Sequence, residues 1–439
     1  MNLLLNSQFT IHNSQLNITG SKSETNRLLL LQALYPNITI ENGSNSDDSE
    51  VMVQALNKNP TPKTQHHINI HHAGTAMRFL TAYFALKEGS EVILTGSSRM
   101  KERPIKILVD ALIQIGADIS YIENDGFPPL KIKGKNLNQC KVSIEANVSS
   151  QYISALLLIA PKLENGLELT LVGEITSKTY IQMTLALLNE IGVTTSFEDN
   201  TIKVSHLASI PAAGVRGLIE SDWSSASYYY SIIALSEIGT QLTLSSYKQN
   251  SLQGDSVLVE IYNYFGVETI FNEDNSITIS KTINSKPETV NLQLNNSPDI
   301  AQTIAVTCFG LGVGCHLTGL HTLKIKETDR LEALKIELTK LGASISVTND
   351  SLILHAVALH SPSLEGCPKG GVVFSSKDVA SAVPSIATYQ DHRMAMAFAP
   401  LALKFPLIVQ DAEVVSKSYP TFWNDLKNIG FQISEIKIT

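Results

Sequence analysis

Five times along this chain an amphipathic segment ends in Gly and runs straight into a β-rich stretch: LVDALIQIGADISYI (108–122), TLALLNEIGVTTSF (184–197), LVEIYNYFGVETIF (258–271), LEALKIELTKLGASISV (331–347) and FWNDLKNIGFQISEI (422–436). Gly116, Gly192, Gly266, Gly342 and Gly430 stand where a helix needs a C′ residue before the backbone turns back into a strand. Leu108, Leu112 and Ile115, like Leu331, Leu334, Leu338 and Leu341, share one helix face. Successive glycines are about 75 to 90 residues apart, too far for a stacked solenoid hairpin, so each repeat is a small α/β subdomain.

The loops leading into these helices read SSRMKERPI, TSKTYI, LQGDS, KETDR and SKSYP. Any one of them is an ordinary cap. Five rich in Lys, Arg and small hydroxyl residues point to a shared anion site, because a helix N-terminus offers unpaired N–H groups and a partial positive charge. Such a site is local: the chain has a net charge of −8, which argues against a general nucleic-acid or membrane-surface binder.

A chain of 439 residues, 43% of them apolar, exceeds what one core usually serves, and two domains are expected. The best crossing points are Gly20–Lys22 and the stretch 205–227, giving a discontinuous domain of residues 1–20 plus 221–439 and an inserted domain of 21–220. ISALLLIA (153–160) is far short of a membrane span, and the N-terminal residues lack the basic and apolar regions of a signal peptide, so a cytoplasmic protein is expected. Cys140, Cys308, Cys315 and Cys367 form no CxxC pair and read as free thiols. The histidines of HHINIHH (66–72) lack carboxylate or thiol partners and a helical spacing, so no metal is expected.

Further charge sits in front of apolar helices. In GSKSETNRLLLLQAL, Lys22 and Arg27 can bracket an anion over a helix that the pattern starts near Glu24. In HHAGTAMRFL, Gly74 and Thr75 permit close backbone approach ahead of Arg78. Arg99, Lys101 and Arg103 precede Pro104, which suits a helix N1 position. Ser149, Ser150 and Gln151 offer neutral donors at another helix start. Asp299 follows Pro298, KIKETDRL packs Lys326, Glu327, Asp329 and Arg330 into one turn, and Asp391, His392 and Arg393 lead a helix that should be buried, with Lys417 beyond.

Taken in order, GSKSETNR, GTAMR, RMKERPI, SSQY, SDWSSAS, PDIAQTIA, KIKETDRL and YQDHRMAMAF resemble the successive signature segments of the EPSP synthases, over essentially the whole chain. The resemblance implies an inside-out α/β barrel of two domains, each built from βαβαββ units with near-threefold pseudosymmetry. It implies transfer of the enolpyruvyl group of phosphoenolpyruvate to shikimate 3-phosphate, without a cofactor, by a cytoplasmic monomer open to inhibition by glyphosate. Shikimate 3-phosphate would be held by Lys22, Ser23, Arg27, Ser149, Ser150, Gln151, Ser177, Tyr180, Asp299 and Lys326. Phosphoenolpyruvate would lie against Lys22, Gly74, Arg103, Gln151, Arg330, Arg393 and Lys417. Lys22, Asp299 and Glu327 would be catalytic, with the division of proton transfers among them open. Because the charges are split between the two domains, the free enzyme is expected open and the cleft to close on substrate.

The chain departs from the family pattern at His72, where Asn is usual, Phe79 and Thr179, where Pro is usual, and Thr322, where Asn is usual. The segment 46–72 is short by about one β-hairpin, so one unit is expected to be trimmed. Two other readings fare worse. The enolpyruvyl transferase of cell-wall synthesis is expected to carry Asn after the early Lys and a Cys in the loop that here reads SSRMKERP, whereas this chain has Ser23 and no such Cys. A binding protein that had lost catalysis would lack Lys22, Asp299 or Glu327, and all three are present.

Overall fold

Each repeat contains two helices of different character, and that difference fixes the architecture. The helices Gly74–Leu86, Ser150–Ile159, Trp223–Leu235 and Ala301–Leu311 are apolar nearly all round; 11 of 13, 9 of 10, 12 of 13 and 11 of 11 of their residues are buried. Helices of that kind belong in a core. The amphipathic helices Lys106–Gln114, Lys178–Glu190, Leu258–Asn263, Arg330–Lys340 and Phe422–Asn428 keep one face exposed. Four of these five helices are followed, one residue past the C-cap, by Gly116, Gly192, Gly342 or Gly430, all at positive φ; Gly266, also at positive φ, comes two residues past its C-cap.

The computed structural model describes residues 1–6, 11, 14–58, 65–210, 214–285, 287–356 and 383–437. Five four-stranded sheets share one plan. In the first, Gln65–Asn69 pairs parallel with Glu91–Thr95, with the buried helix Gly74–Leu86 between them in the chain. Glu91–Thr95 then pairs antiparallel with Leu130–Lys133, which forms a hairpin with Asp118–Tyr121. This is a βαβαββ unit, its parallel pair made by a helical crossover. In the last sheet Asn2–Leu5 fills the third place, between Leu407–Val409 and Ile433–Ile436, so the start of the chain completes its final unit. The sixth sheet has only Ile38–Glu41 and Val215–Leu218 among the described residues, the trimmed unit expected from the short segment 46–72.

The chain divides into two compact units, Met1–Ile18 with Ser221–Ser251 and Asp255–Thr439, and Thr19–Glu220 with Leu252–Gly254. Each has its own apolar core. In the first, Trp223 meets Tyr247 edge to face at 4.8 Å and the Tyr229 and Tyr419 hydroxyls lie 2.8 Å apart. The second is filled by Leu, Ile and Met residues with Phe79 and Phe84, both fully buried. Buried Cys308 and Cys315 lie in the first core, where burial and the hydrogen bond with Cys315 push the Cys308 thiol up; Cys367 lies outside the described residues. Among the described residues no helix is long and apolar enough to cross a membrane, and no group of three or more His, Cys, Asp or Glu could hold a metal ion.

Candidate active site

The site residues fall into two half-sites, one in each unit. In the unit Thr19–Glu220, the helix Lys22–Leu34 starts two residues before the expected Glu24, because the Ser21 side chain accepts from the Glu24 amide and makes Ser21 the cap. Lys22 is thus the first helical residue, and its Nζ lies 3.1 Å from Asp48 Oδ2. Arg27 sits one turn further on and is 2% exposed. Its guanidinium donates to the Thr184 hydroxyl at 2.8 Å, the Ser154 hydroxyl at 3.0 Å, the Ser23 carbonyl at 2.8 Å and the Tyr180 carbonyl at 3.3 Å. Its Cζ also lies 5.5 Å from the Phe79 ring centre and 5.7 Å from that of Tyr180. Among the described residues no carboxylate forms an ion pair with it. Burial lowers its pKa to about 10, which still leaves it charged at neutral pH. Phe79, standing where the family usually has Pro, is therefore a floor beneath this cation.

Gly74 opens the helix Gly74–Leu86, whose cap Ala73 offers no side-chain acceptor. A Cβ built on Gly74 would come within 2.6 Å of Arg103 Nη1, so the absence of a side chain is what lets that guanidinium lie over the helix start. The loop carrying Arg103 is fastened from below: Arg78 Nη2 donates to the Pro104 carbonyl at 3.1 Å and the Tyr152 hydroxyl donates to it at 2.5 Å. Pro104 is not the N1 residue the sequence suggests. Arg99 and Lys101 lie in a short helix, Ser98–Lys101, and the next helix begins at Lys106 with Ile105 as cap. Ser149 caps the helix Ser150–Ile159 by accepting from the Gln151 amide, and the Gln151 side chain donates to the Thr75 hydroxyl at 3.3 Å. Ser177, at φ 53° and ψ 46°, caps the helix that carries Tyr180.

In the other unit, one guanidinium organises four elements. Arg330, 2% exposed, donates from Nε to Asp391 at 2.7 Å, from Nη1 to Asp299 at 2.8 Å and from Nη2 to Glu327 at 2.8 Å. Burial works against its charge, but the three carboxylates outweigh that and raise its pKa. Asp299 lies in the short turn Pro298–Ile300 ahead of the buried helix Ala301–Leu311. It also meets Lys326 Nζ and Arg393 Nη2, each at 3.4 Å. Burial alone would raise its pKa, yet Lys326, Arg393 and Arg330 hold the carboxyl far below the usual range. Lys326 is lowered, chiefly by burial. Asp391 caps the helix His392–Phe398 by accepting from the Arg393 amide at 2.8 Å, and Lys417 Nζ donates to the Gln390 carbonyl at 2.6 Å.

Two residues of this half-site are absent from the sequence reading. Ser224 accepts from Arg393 Nη2 at 3.3 Å and donates to Asp255, a carboxyl that burial pushes up to about 6 despite Arg393 nearby. Both lie in segments the sequence marks, SDWSSAS and LQGDS, but nothing local singles them out. Thr322, one of the departures, is buried with a hydroxyl that has no hydrogen-bond partner among the described residues.

The arrangement is suited to small molecules carrying several negative charges, with carboxylates held among cations for proton transfer. A profile of the EPSP synthase (3-phosphoshikimate 1-carboxyvinyltransferase) family matches residues 10–426. The chain is 44% identical to the 3-phosphoshikimate 1-carboxyvinyltransferase of Bacteroides fragilis (strain YCH46) over 419 residues, covering 95% of each chain. It is 35% identical to that of Haemophilus influenzae (strain ATCC 51907 / DSM 11121 / KW20 / Rd) over 446 residues, covering 94% of this chain and 96% of the other. The fold is similar to that of a solved EPSP synthase from Acinetobacter baumannii, with a TM-score of 0.73 at 19% identity, covering 99% and 100% of the two chains. On these grounds the chain belongs to the EPSP synthase family.

Proposed function

We propose that this chain transfers the enolpyruvyl group of phosphoenolpyruvate to the 5-hydroxyl of shikimate 3-phosphate, the reaction of its family, and that Lys22, Asp299 and Glu327 carry the proton transfers. The observation that carries the site reading is the Arg330 hub, where one buried guanidinium holds Asp299, Glu327 and Asp391 while Lys326 and Arg393 close on Asp299. The 5-hydroxyl oxygen attacks C2 of phosphoenolpyruvate, Asp299 takes the hydroxyl proton and Glu327 supplies a proton to C3. On elimination the movements reverse: Glu327 takes a C3 proton back, the C–O bonding pair leaves with the phosphate oxygen, Asp299 returns its proton to that phosphate, and the vinyl ether double bond forms.

The electrostatics suit this sequence of events. A carboxylate among three cations is a weak base, so Asp299 gains proton affinity only once substrate anions share those cations. The same cations then stabilise the departing phosphate. Ser23, Arg27, Ser149, Ser150, Gln151, Ser177, Tyr180, Asp299 and Lys326, with Lys22, are read as the shikimate 3-phosphate contacts. Lys22, Gly74, Arg103, Gln151, Arg330, Arg393 and Lys417 are read as those of phosphoenolpyruvate. Arg27 supports this: it is a buried cation whose hydrogen bonds among the described residues go to hydroxyl and carbonyl oxygens, fit to receive an anion. A cytoplasmic monomer is the state that the family resemblance implies.

The test is phosphate release in the presence of both substrates, in the wild type and in Lys22→Ala and Arg393→Ala. Both variants are expected to fold and to lose at least about a hundredfold in kcat/KM. Near-normal turnover in either folded variant contradicts the site reading.

A further inference from the structure

Three residues that the reaction scheme leaves unused connect the two half-sites. The chain passes from one unit to the other between Ile18 and Thr19 and between Glu220 and Ser221, and it returns briefly as Leu252–Gly254. Gln253, in that return, is 6% exposed. Its Nε2 donates to Glu24 Oε1 at 3.0 Å and to Glu220 Oε2 at 3.4 Å, both buried carboxylates. Glu24 Oε2 in turn accepts from the Glu220 amide at 3.4 Å. One side chain therefore grips Glu220, the last residue before one crossing, and Glu24, which lies in the first turn of the helix that presents Lys22 and Arg27.

Two residues on, Asp255 belongs to the other unit and accepts from the Ser224 hydroxyl, which itself accepts from Arg393 Nη2. Only Gly254 intervenes, so the two anchors are at most about 7 Å apart along the backbone. Both ends are held by buried hydrogen bonds whose loss would strand a polar group.

We propose that the stretch Gln253–Gly254–Asp255 couples the two half-sites, with Gln253 a positioning residue for the helix start bearing Lys22 and Asp255 a positioning residue for Arg393 through Ser224. This rests on the reading that Lys22 and Arg393 act on the same bound substrates. Residues in different units that do not touch are expected to act additively, so coupling has a distinct signature.

The experiment is a double-mutant cycle on kcat/KM for phosphoenolpyruvate with Gln253→Leu, Ser224→Ala and the double variant, alongside Arg393→Ala. Each single change is expected to lower kcat/KM by about tenfold, and the double variant by about tenfold to thirtyfold rather than the roughly hundredfold that independent effects give. Losses that multiply, or a loss under about twofold in Gln253→Leu, overturn the proposal. If Gln253→Leu does not fold, Gln253→Asn, which keeps the amide but is too short to reach both carboxylates, takes its place in the cycle under the same criteria. Full turnover in Arg393→Ala would instead overturn the site reading, so the two failures are told apart.

Discussion

Arg330 and Asp299, 31 residues apart in sequence, meet through a 2.8 Å hydrogen bond in which the guanidinium is 2% exposed and the carboxylate is shared with Lys326 and Arg393. That sharing explains why Asp299 is held ionised, and it defines what replacing it should do. Asp299→Asn keeps the shape and removes the one carboxylate that Arg330, Lys326 and Arg393 share, while Arg330 keeps Asp391 and Glu327. Anion binding should hold or tighten, while kcat falls by about 10²–10⁴ as expected for loss of a proton-transfer group. Steady-state kinetics with a direct binding measurement for shikimate 3-phosphate checks this; a kcat within about tenfold of wild type removes Asp299 from the catalytic set.

Gly74→Ala tests the other half-site. The new methyl meets the far end of the Arg103 side chain, with Nη1 at 2.6 Å, Nη2 at 2.9 Å and Cζ at 3.1 Å, so the guanidinium must swing aside and the fold survives. KM for phosphoenolpyruvate should rise by about tenfold, with a smaller change for shikimate 3-phosphate. Glyphosate, expected to compete with phosphoenolpyruvate, should inhibit the variant less. Equal changes in both KM values would place Arg103 away from phosphoenolpyruvate.

Asp255 gives a pH dependence. Its folded pKa of about 6 lies above the ordinary 3.8, so between those values the folded state holds more protons than the unfolded one. Stability contributed by this group is full below about pH 4 and is lost as pH rises through about 6. Asp255→Asn removes that loss. The variant should therefore gain on the wild type as pH rises, by an amount on the order of 2 kcal/mol between pH 4.5 and pH 8. Thermal unfolding of both proteins across that range reads the difference, and a difference that does not change with pH contradicts the assigned burial of the charge.

How much of this was legible beforehand follows from where the information sits. Runs of charge in front of apolar helices are local, so Lys22, Arg27, Arg103, Asp299, Glu327, Arg330 and Arg393 could be named from the sequence. The five glycines after the outer helices could be named for the same reason, since each needs only its own segment to explain it. Ser224 and Asp255 could not: their partners lie 169 and 31 residues away, and a single Ser or Asp in a loop is an ordinary residue. Asp48, which pairs with Lys22 from 26 residues away, was hidden in the same way. Helix starts shifted for local reasons. Ser21 captured the cap, so Lys22 rather than Glu24 opens its helix, and the Pro104 carbonyl is drawn into bonds with Arg78 and Tyr152, leaving the following helix to begin at Lys106.

The split of the charges between two units predicts motion. The family resemblance implies that the two sets of cations face one cleft, where they would repel without ligand and a substrate carrying phosphate and carboxylate groups would offset that repulsion. The radius of gyration by small-angle scattering should fall when shikimate 3-phosphate and glyphosate are bound together. An unchanged radius with both ligands shown bound contradicts closure.

The proposed addition and elimination require that C3 of phosphoenolpyruvate be protonated and then deprotonated during transfer. Running the reaction to partial conversion in D₂O and reading the vinyl ether methylene of the product by proton NMR tests it directly. Addition followed by elimination predicts deuterium in that methylene, because the C3 methyl of the intermediate holds one solvent-derived hydrogen among three. A product that forms with phosphate release but carries no deuterium at C3 contradicts the mechanism.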